Sequence, residues 1–207
     1  MSNPDTKASS ASLGWYSRSY IPHLDAANIL QFITIRLADS LPQNQLRSLE
    51  IELKESPSTV TIKRRQQIET WLDAGYGTPL LANPKVACVV ASALLEFHKV
   101  RYTLHAWVIM PNHIHILIET RPEWPLYRVM GGFKRYTARV ANQLLGRTGA
   151  FWARDYFDRY IREAEHYNAT VCYIENNPVK AGLCREPRAW RFSSAWIDQP
   201  LSRTIEL

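Results

Sequence analysis

The sequence predicts an α+β fold: a ferredoxin-like split βαβ core with an antiparallel sheet, extended by extra helices. Three observations carry that prediction. ILQFITIRL (29–37) is rich in β-branched and aromatic residues, as strands are. Two further apolar runs, YTLHAWVIM (102–110) and HIHILIE (113–119), flank a Pro111-Asn112 turn and read as a β-hairpin. Between and after them, apolar residues recur at helical spacing, and the order of elements reduces to β-α-β-β-α-β once the additional helices are set aside.

The elements follow in order. Residues 1 to about 12 are small and polar, a composition that predicts disorder. After the strand at 29–37, Pro42 opens a helix to about Lys54. SPST (56–59) breaks the chain, and a second helix covers roughly Ile62 to Ala74, closed by the GYGTP turn at 75–79. Asn83 and Pro84 form a cap and first-turn pair for a helix to about His98. The hairpin is next. Leu126, Val129, Met130, Phe133, Tyr136, Val140 and Leu144 then mark one face of a helix that Gly146 stops. FWARDYFDRYI (151–161) reads as a strand. A helix from Glu163 to Asn176 is expected to end before Pro178, because the residue preceding proline avoids helical dihedrals. The tail with Trp190, Phe192 and Trp196 is expected to pack back on the body, giving one domain over 13–198 and a tail at 199–207.

Composition narrows the function classes. The formal charge is +6 over 207 residues and the sequence pI is about 9.3. A basic surface suits a polyanionic partner, either nucleic acid or acidic membrane. The three cysteines, Cys88, Cys172 and Cys184, have no C-x-x-C spacing and read as buried free thiols in a reducing compartment rather than as a disulfide framework or zinc knuckle. The N-terminus has no apolar h-region and no stretch approaches 18 apolar residues, so the expectation is a cytoplasmic protein with no membrane partner.

Alternation along a strand sends Ile114, Ile116 and Ile118 to one face, and His113, His115, Leu117 and Glu119 to the other. Two imidazoles about 7 Å apart at Cα form a workable bite for one divalent cation. An H-x-H pair equally describes two histidines bonded to neighbours, and a pair alone leaves a metal site incomplete. Tyr173 and Asn177, four residues apart, share a helix face. Asn177, expected at the frayed end before Pro178, offers an amide oxygen, a hard ligand suited to Mg²⁺ or Mn²⁺. Taken alone, a Tyr in an aromatic-rich chain reads as packing and an Asn before Pro as a helix terminator.

HAWVIMPNHIHILIE (105–119) followed by YIENNPVKAGL (173–183) resembles the REP-associated tyrosine transposases, relatives of the single-strand insertion-sequence transposases in the HUH superfamily. LQFITIRLADSLP (30–42), FKRYTAR (133–139) and FWARDYFDRYIR (151–162) extend the resemblance from Trp15 to about Trp196. The N-terminal extension and the helices between 42 and 98 are longer than the minimal family core. The resemblance implies that His113 and His115 bind Mg²⁺ or Mn²⁺, that Tyr173 on a C-terminal helix is the nucleophile, and that Asn177 stands at the third-ligand position, with His166 as a fallback. It implies cleavage and rejoining of single-stranded DNA near palindromic hairpin repeats through a 5′-phosphotyrosine.

Arg128, Arg135 and Arg139 on the 126–145 helix, with Lys134 beside them, are candidates for phosphate contacts, as are Arg162 and Lys180. An ordinary solvated helix face is the plain alternative for the first group. Trp152 is a candidate base-stacking residue or a core Trp. A dormant hairpin-binding protein and a metal-dependent hydrolytic nuclease stay open as alternatives. So does the choice between monomer and homodimer.

Overall fold

The computed structural model describes residues 14–17, 22–41 and 60–196. The helix expected from Pro42 to Lys54, the N-terminal 12 residues and the tail after 198 lie outside them.

The chain opens on an antiparallel ribbon, β1 (Gly14–Ser17) with β2 (Pro22–Asp25). The sequence reading assigns no element here, because four-residue strands are too short to display alternation. The ribbon is pinned by buried polar groups. Asp25 Oδ1 accepts the Leu126 backbone N–H at 2.7 Å, and Asp158 bonds both the His23 ring at 2.5 Å and the Leu24 N–H.

The main sheet contains β3 (Leu30–Arg36), β4 (Tyr102–Ile109), β5 (His113–Thr120) and β6 (Phe157–Ile161) in the spatial order β4-β5-β3-β6. Every neighbouring pair is antiparallel. This is the expected split βαβ order, with β3 inserted between the hairpin and the last strand. The last strand is shorter than expected: only 157–161 pairs along β3, while Trp152 makes an isolated bridge to Leu37. As expected, the tail returns. Ile109 N–H donates to Phe192 O, Ser194 N–H donates to Trp107 O, and the Trp190 indole donates to Ile109 O, so residues 190–194 line the exposed edge of β4.

The described helices are α1 (Val60–Asp73), α2 (Pro84–Glu96), α3 (Leu126–Leu144) and α4 (Ala164–Lys180). Asn83 caps α2 by accepting from Lys85 N–H, with Pro84 in the first turn. The sheet separates two apolar layers. One holds Ile33, Ile35, Ile114, Ile116 and Ile118 against Val86, Val90, Val129, Met130 and Phe133 of α2 and α3. The other holds Phe32, Ala106, Val108 and Leu117 against Ile174 of α4.

The three β5 isoleucines are fully buried. Each contributes roughly 1.5–3 kcal/mol by leaving water. A one-residue slip of β5 would send them to the wrong face, so their packing also sets which way His113 and His115 point.

Helix α4 departs from expectation. It runs through Pro178 to Lys180 instead of stopping at Asn176. Proline removes one backbone bond, but here it falls in the last turn, where little helix is left to break. A Schellman arrangement closes the end: Gly182, at φ +70°, donates to Val179 O, and Leu183 donates to Pro178 O. Asn177 is therefore an interior helical residue and is buried, not a frayed one.

Candidate metal and nucleophile site

His113 and His115 lie beneath α4 and the end of α1, and neither is exposed to solvent. Their Nε2 atoms face each other at 3.1 Å. Two imidazole nitrogens that each bond one cation at about 2.1 Å stand about 3 Å apart when they meet at right angles, so the pair is already at chelating distance. Burial depresses both rings, His113 to about 3, and His115 well below its usual value with help from His113 and Lys180. Neutral rings are the form that binds metals.

Each ring is oriented by a neighbour. Asn112 donates its amide N–H groups to Leu72 O and Tyr76 O, which leaves its Oδ1 to accept from His113 Nδ1 at 2.7 Å. That bond places the His113 proton on Nδ1 and the lone pair on Nε2. His115 Nδ1 meets the Thr34 hydroxyl at 2.9 Å. A hydroxyl both donates and accepts, so Thr34 serves either tautomer of His115, including the Nδ1–H form a ligating ring needs.

Tyr173 stands against the same pair. Its ring centroid is 5.4 Å from that of His115 and 5.9 Å, edge-on, from that of Phe32. Its hydroxyl is buried with no hydrogen-bond partner, and so is Asn177 Oδ1. The Asn177 amide favours the ionised form of the phenol, without making a hydrogen bond to it. Burial, then the carboxylates of Glu69 and Asp73, push the phenol well above its ordinary value, while Arg159 acts the other way. Such orphaned polar atoms are costly in a folded core and concentrate where a ligand supplies the missing partner. Tyr173 also borders a cleft of about 240 Å³ lined by Phe32, Glu69, Arg159, His166 and Thr170. His166 belongs to that cleft and is absent from the convergent ligand group, so its fallback role as a metal ligand is not supported.

The sequence reading missed Asp73. One ligand atom each from Asp73, His113 and His115 lie within 4.8 Å of one another, the described cluster that could hold a metal ion. Asp73 Oδ2 is bonded to Lys180 Nζ at 2.6 Å, and Oδ1 lies 3.4 Å from Asn177 Nδ2. Two neutral imidazoles, a carboxylate and an unpartnered amide oxygen form a donor set that fits a divalent cation. One signal was available. Asp73 is the last residue of α1, where the helix dipole disfavours an anion, and that turn carries no basic residue.

The basic candidates divide. Lys180 is at the site. Arg162 is on the same side of the sheet but further along, stacked on Tyr160 in a cleft of about 690 Å³ with His105, Glu119 and Tyr167. Arg128, Arg135 and Arg139 are exposed on α3, so the sheet separates them from the histidines. Lys134 donates to Ala153 O and Arg154 O and holds that loop. Trp152 is a core residue: it is buried against Phe133 and Phe151 and donates to Thr137 Oγ1, so base stacking is corrected to packing. Of the cysteines only Cys88 is buried, and Cys172 is exposed on α4, against expectation. No helix among the described residues is long and apolar enough to cross a membrane.

Arg36 was also missed. It is the cross-strand partner of His113. Its Nε and Nη1 are buried without a hydrogen-bond partner. Burial lowers it to about 10, with Asp155 acting in the opposite sense, so it stays charged at neutral pH.

Comparisons with known proteins give three similarities. Residues 89–177, which hold both histidines, Tyr173 and Asn177, match the family model described as Transposase IS200 like. A REP-associated tyrosine transposase of Escherichia coli (strain K12) is 27% identical over 95 residues, covering 45% of this chain and 54% of the relative. The chain thus spans about half the length of that curated relative. Among solved structures, a REP-associated tyrosine transposase bound to a REP hairpin aligns with a TM-score of 0.48 at 17% identity, over 83% of this chain and 79% of the other. Residues 89–177 are thus similar to the IS200-like transposases, and a 95-residue stretch of the chain is similar to a REP-associated tyrosine transposase.

Proposed function

We propose that this protein is a metal-dependent tyrosine transposase that cleaves and rejoins single-stranded DNA near hairpin repeats. The observation that carries the reading is the buried, unpartnered Tyr173 hydroxyl beside a neutral, chelating histidine pair. His113, His115 and Asp73, with the Asn177 oxygen, would hold Mg²⁺ or Mn²⁺. When bound, that ion polarises the phosphate oxygens and favours phenol ionisation.

The chain's own residues then account for the rest. The Tyr173 oxygen attacks the phosphorus. The P–O3′ bond breaks, a 5′-phosphotyrosine ester forms, the phenol loses its proton and the departing 3′-oxygen gains one. The ester conserves the bond, so a later 3′-hydroxyl attack on the phosphotyrosine reverses the sequence and reseals the strand. Phe32 and His115 fix the Tyr173 ring edge-on and tilted, so the nucleophile is held before DNA arrives. Lys180 and Arg159 supply positive charge to the phosphate at the rim. Arg128, Arg135 and Arg139 across the sheet, and Arg162, would meet DNA remote from the reacting phosphate. A protein acting on DNA in this way works in the cytoplasm, at the nucleoid.

The test uses labelled single-stranded hairpin DNA from repeats flanking the protein's own gene, with Mg²⁺ or Mn²⁺, run on a denaturing gel beside Tyr173→Phe. A metal-dependent covalent protein–DNA band that is absent in the variant is the expected result. Cleavage without an adduct, unchanged in Tyr173→Phe, would sink tyrosine transesterification in favour of hydrolysis.

A further inference from the structure

A charged guanidinium with buried, unpaired N–H groups is an expensive arrangement, because each such donor has lost its water and gained nothing. Arg36 is in that state at Nε and Nη1. The carboxylate of Asp155 acts on it through space, without a hydrogen bond to either nitrogen. Position narrows what the missing partner is. Phe32, Thr34 and Arg36 alternate onto one face of β3, opposite Leu117, His115 and His113. Tyr173 packs at the Phe32 end of that row. Arg36 is four residues, about 13 Å, further along the strand, level with His113, so His115 lies between it and the Tyr173 end of the row.

In an in-line displacement the attacking and leaving oxygens lie on opposite sides of the phosphorus. The geometry points to Arg36 as the residue that grips a DNA backbone phosphate on the leaving, 3′-hydroxyl side of the scissile bond. This inference rests on the transposase reading. Arg36 would hold the freed 3′ end close to the phosphotyrosine, so that rejoining is favoured over loss of the strand. Guanidinium donors pair with phosphate oxygens in fixed geometry, so lysine would preserve the charge and lose part of the grip.

The experiment measures binding in a Tyr173→Phe background, where no cleavage intervenes, with and without Arg36→Gln. The ligands are hairpin oligonucleotides that each carry one neutral methylphosphonate, scanned across the phosphates flanking the cleavage point. Arg36→Gln should weaken binding by about tenfold or more and reduce the salt slope by about 0.7. At one position on the 3′-hydroxyl side the methylphosphonate should abolish the difference between the two proteins. Thermal melting should hold steady or rise in Arg36→Gln and Arg36→Met, because a buried unpaired charge has been removed.

Unchanged affinity and slope, or a difference that persists at every methylphosphonate, overturns the inference. A lowered melting temperature in both variants assigns Arg36 a structural role and overturns it as well. The adduct assay on the otherwise unaltered protein reports separately on the transposase reading: an adduct there, with no Arg36 effect on binding, leaves that reading standing and removes only the phosphate grip. Failure of both Tyr173→Phe and the unaltered protein to bind single-stranded DNA at low salt, with no adduct formed, overturns both.

Discussion

Lys180 Nζ holds Asp73 Oδ2 at 2.6 Å, joining the end of α4 to the end of α1 across the histidine pair. The Asp73 carboxylate is mostly buried and the Lys180 ammonium is mostly exposed. The lysine therefore competes with a cation for the carboxylate that lies closest to the histidine pair among the described acidic groups able to join it. Lys180→Met should tighten Mn²⁺ binding by about fivefold, the effect of removing roughly 1 kcal/mol of charge repulsion near the surface. Asp73→Asn should weaken it by about tenfold or more. Calorimetric titration of Mn²⁺ into each protein checks both, and equal affinities in all three would remove Asp73 from the ligand set.

Replacing either histidine should separate chemistry from binding. His113→Ala and His115→Ala are expected to lower the rate of adduct formation on the order of a thousandfold, since a metal's charge stabilisation is worth several kcal/mol and each 1.36 kcal/mol is a factor of ten. Hairpin affinity should change by less than about threefold. A parallel collapse of affinity in a filter-binding assay would mean that the pair holds up the DNA surface rather than the reacting phosphate.

Asn112 and Thr34 act through the histidines. Asn112 ties His113 to the Leu72 and Tyr76 carbonyls, and so sets the ring and the end of α1 together. Asn112→Ala should reduce metal affinity by about 10–100-fold and stability by roughly 1–3 kcal/mol. Thr34→Val should cost metal affinity on a similar scale with less loss of stability. Urea unfolding alongside Mn²⁺ titration distinguishes the two.

The histidine pair also sets an acid limit on stability. His113 is depressed to about 3 in the folded protein and His115 is depressed as well, whereas an unfolded His titrates near 6.5. Between those values the unfolded chain binds more protons, so stability is fully present above about 6.5 and is lost as pH falls towards 3. Urea midpoints should drop from pH 7.5 to pH 5 by more in the unaltered protein than in a His113→Gln, His115→Gln double variant. An identical slope in the two would show that the rings do not carry the effect.

Much was legible because it depends on local pattern. The isoleucine alternation in HIHILIE settles which face the histidines share, whatever packs above them. The Asn83-Pro84 pair starts a helix by its own chemistry, and the first half of the 126–144 stripe announces its buried side, whereas Tyr136 and Leu144 are exposed and Thr137 and Ala141 are buried in their place. Other features are set over long distances and leave little trace in sequence. Pro178 reads as a stop because proline breaks interior helix, yet Gly182 and Leu183 close the turn around it and keep Asn177 inside. Lys134 and Trp152 look like DNA contacts until the 151–154 loop folds back onto α3 and occupies both.

The sequence by itself determined the split βαβ order and the paired imidazoles on one strand face, because periodicity and spacing act within a few residues, while the tyrosine helix stood out through the resemblance of its motif. Only the tertiary structure decided that Asp73, 40 residues before His113, converges on the histidine pair, and that Arg36 lies beside His113 with donors unspent. Neither residue differs in kind from other acidic or basic residues of the chain. What singles them out is the desolvation and convergence that packing α1 and β3 around β5 imposes.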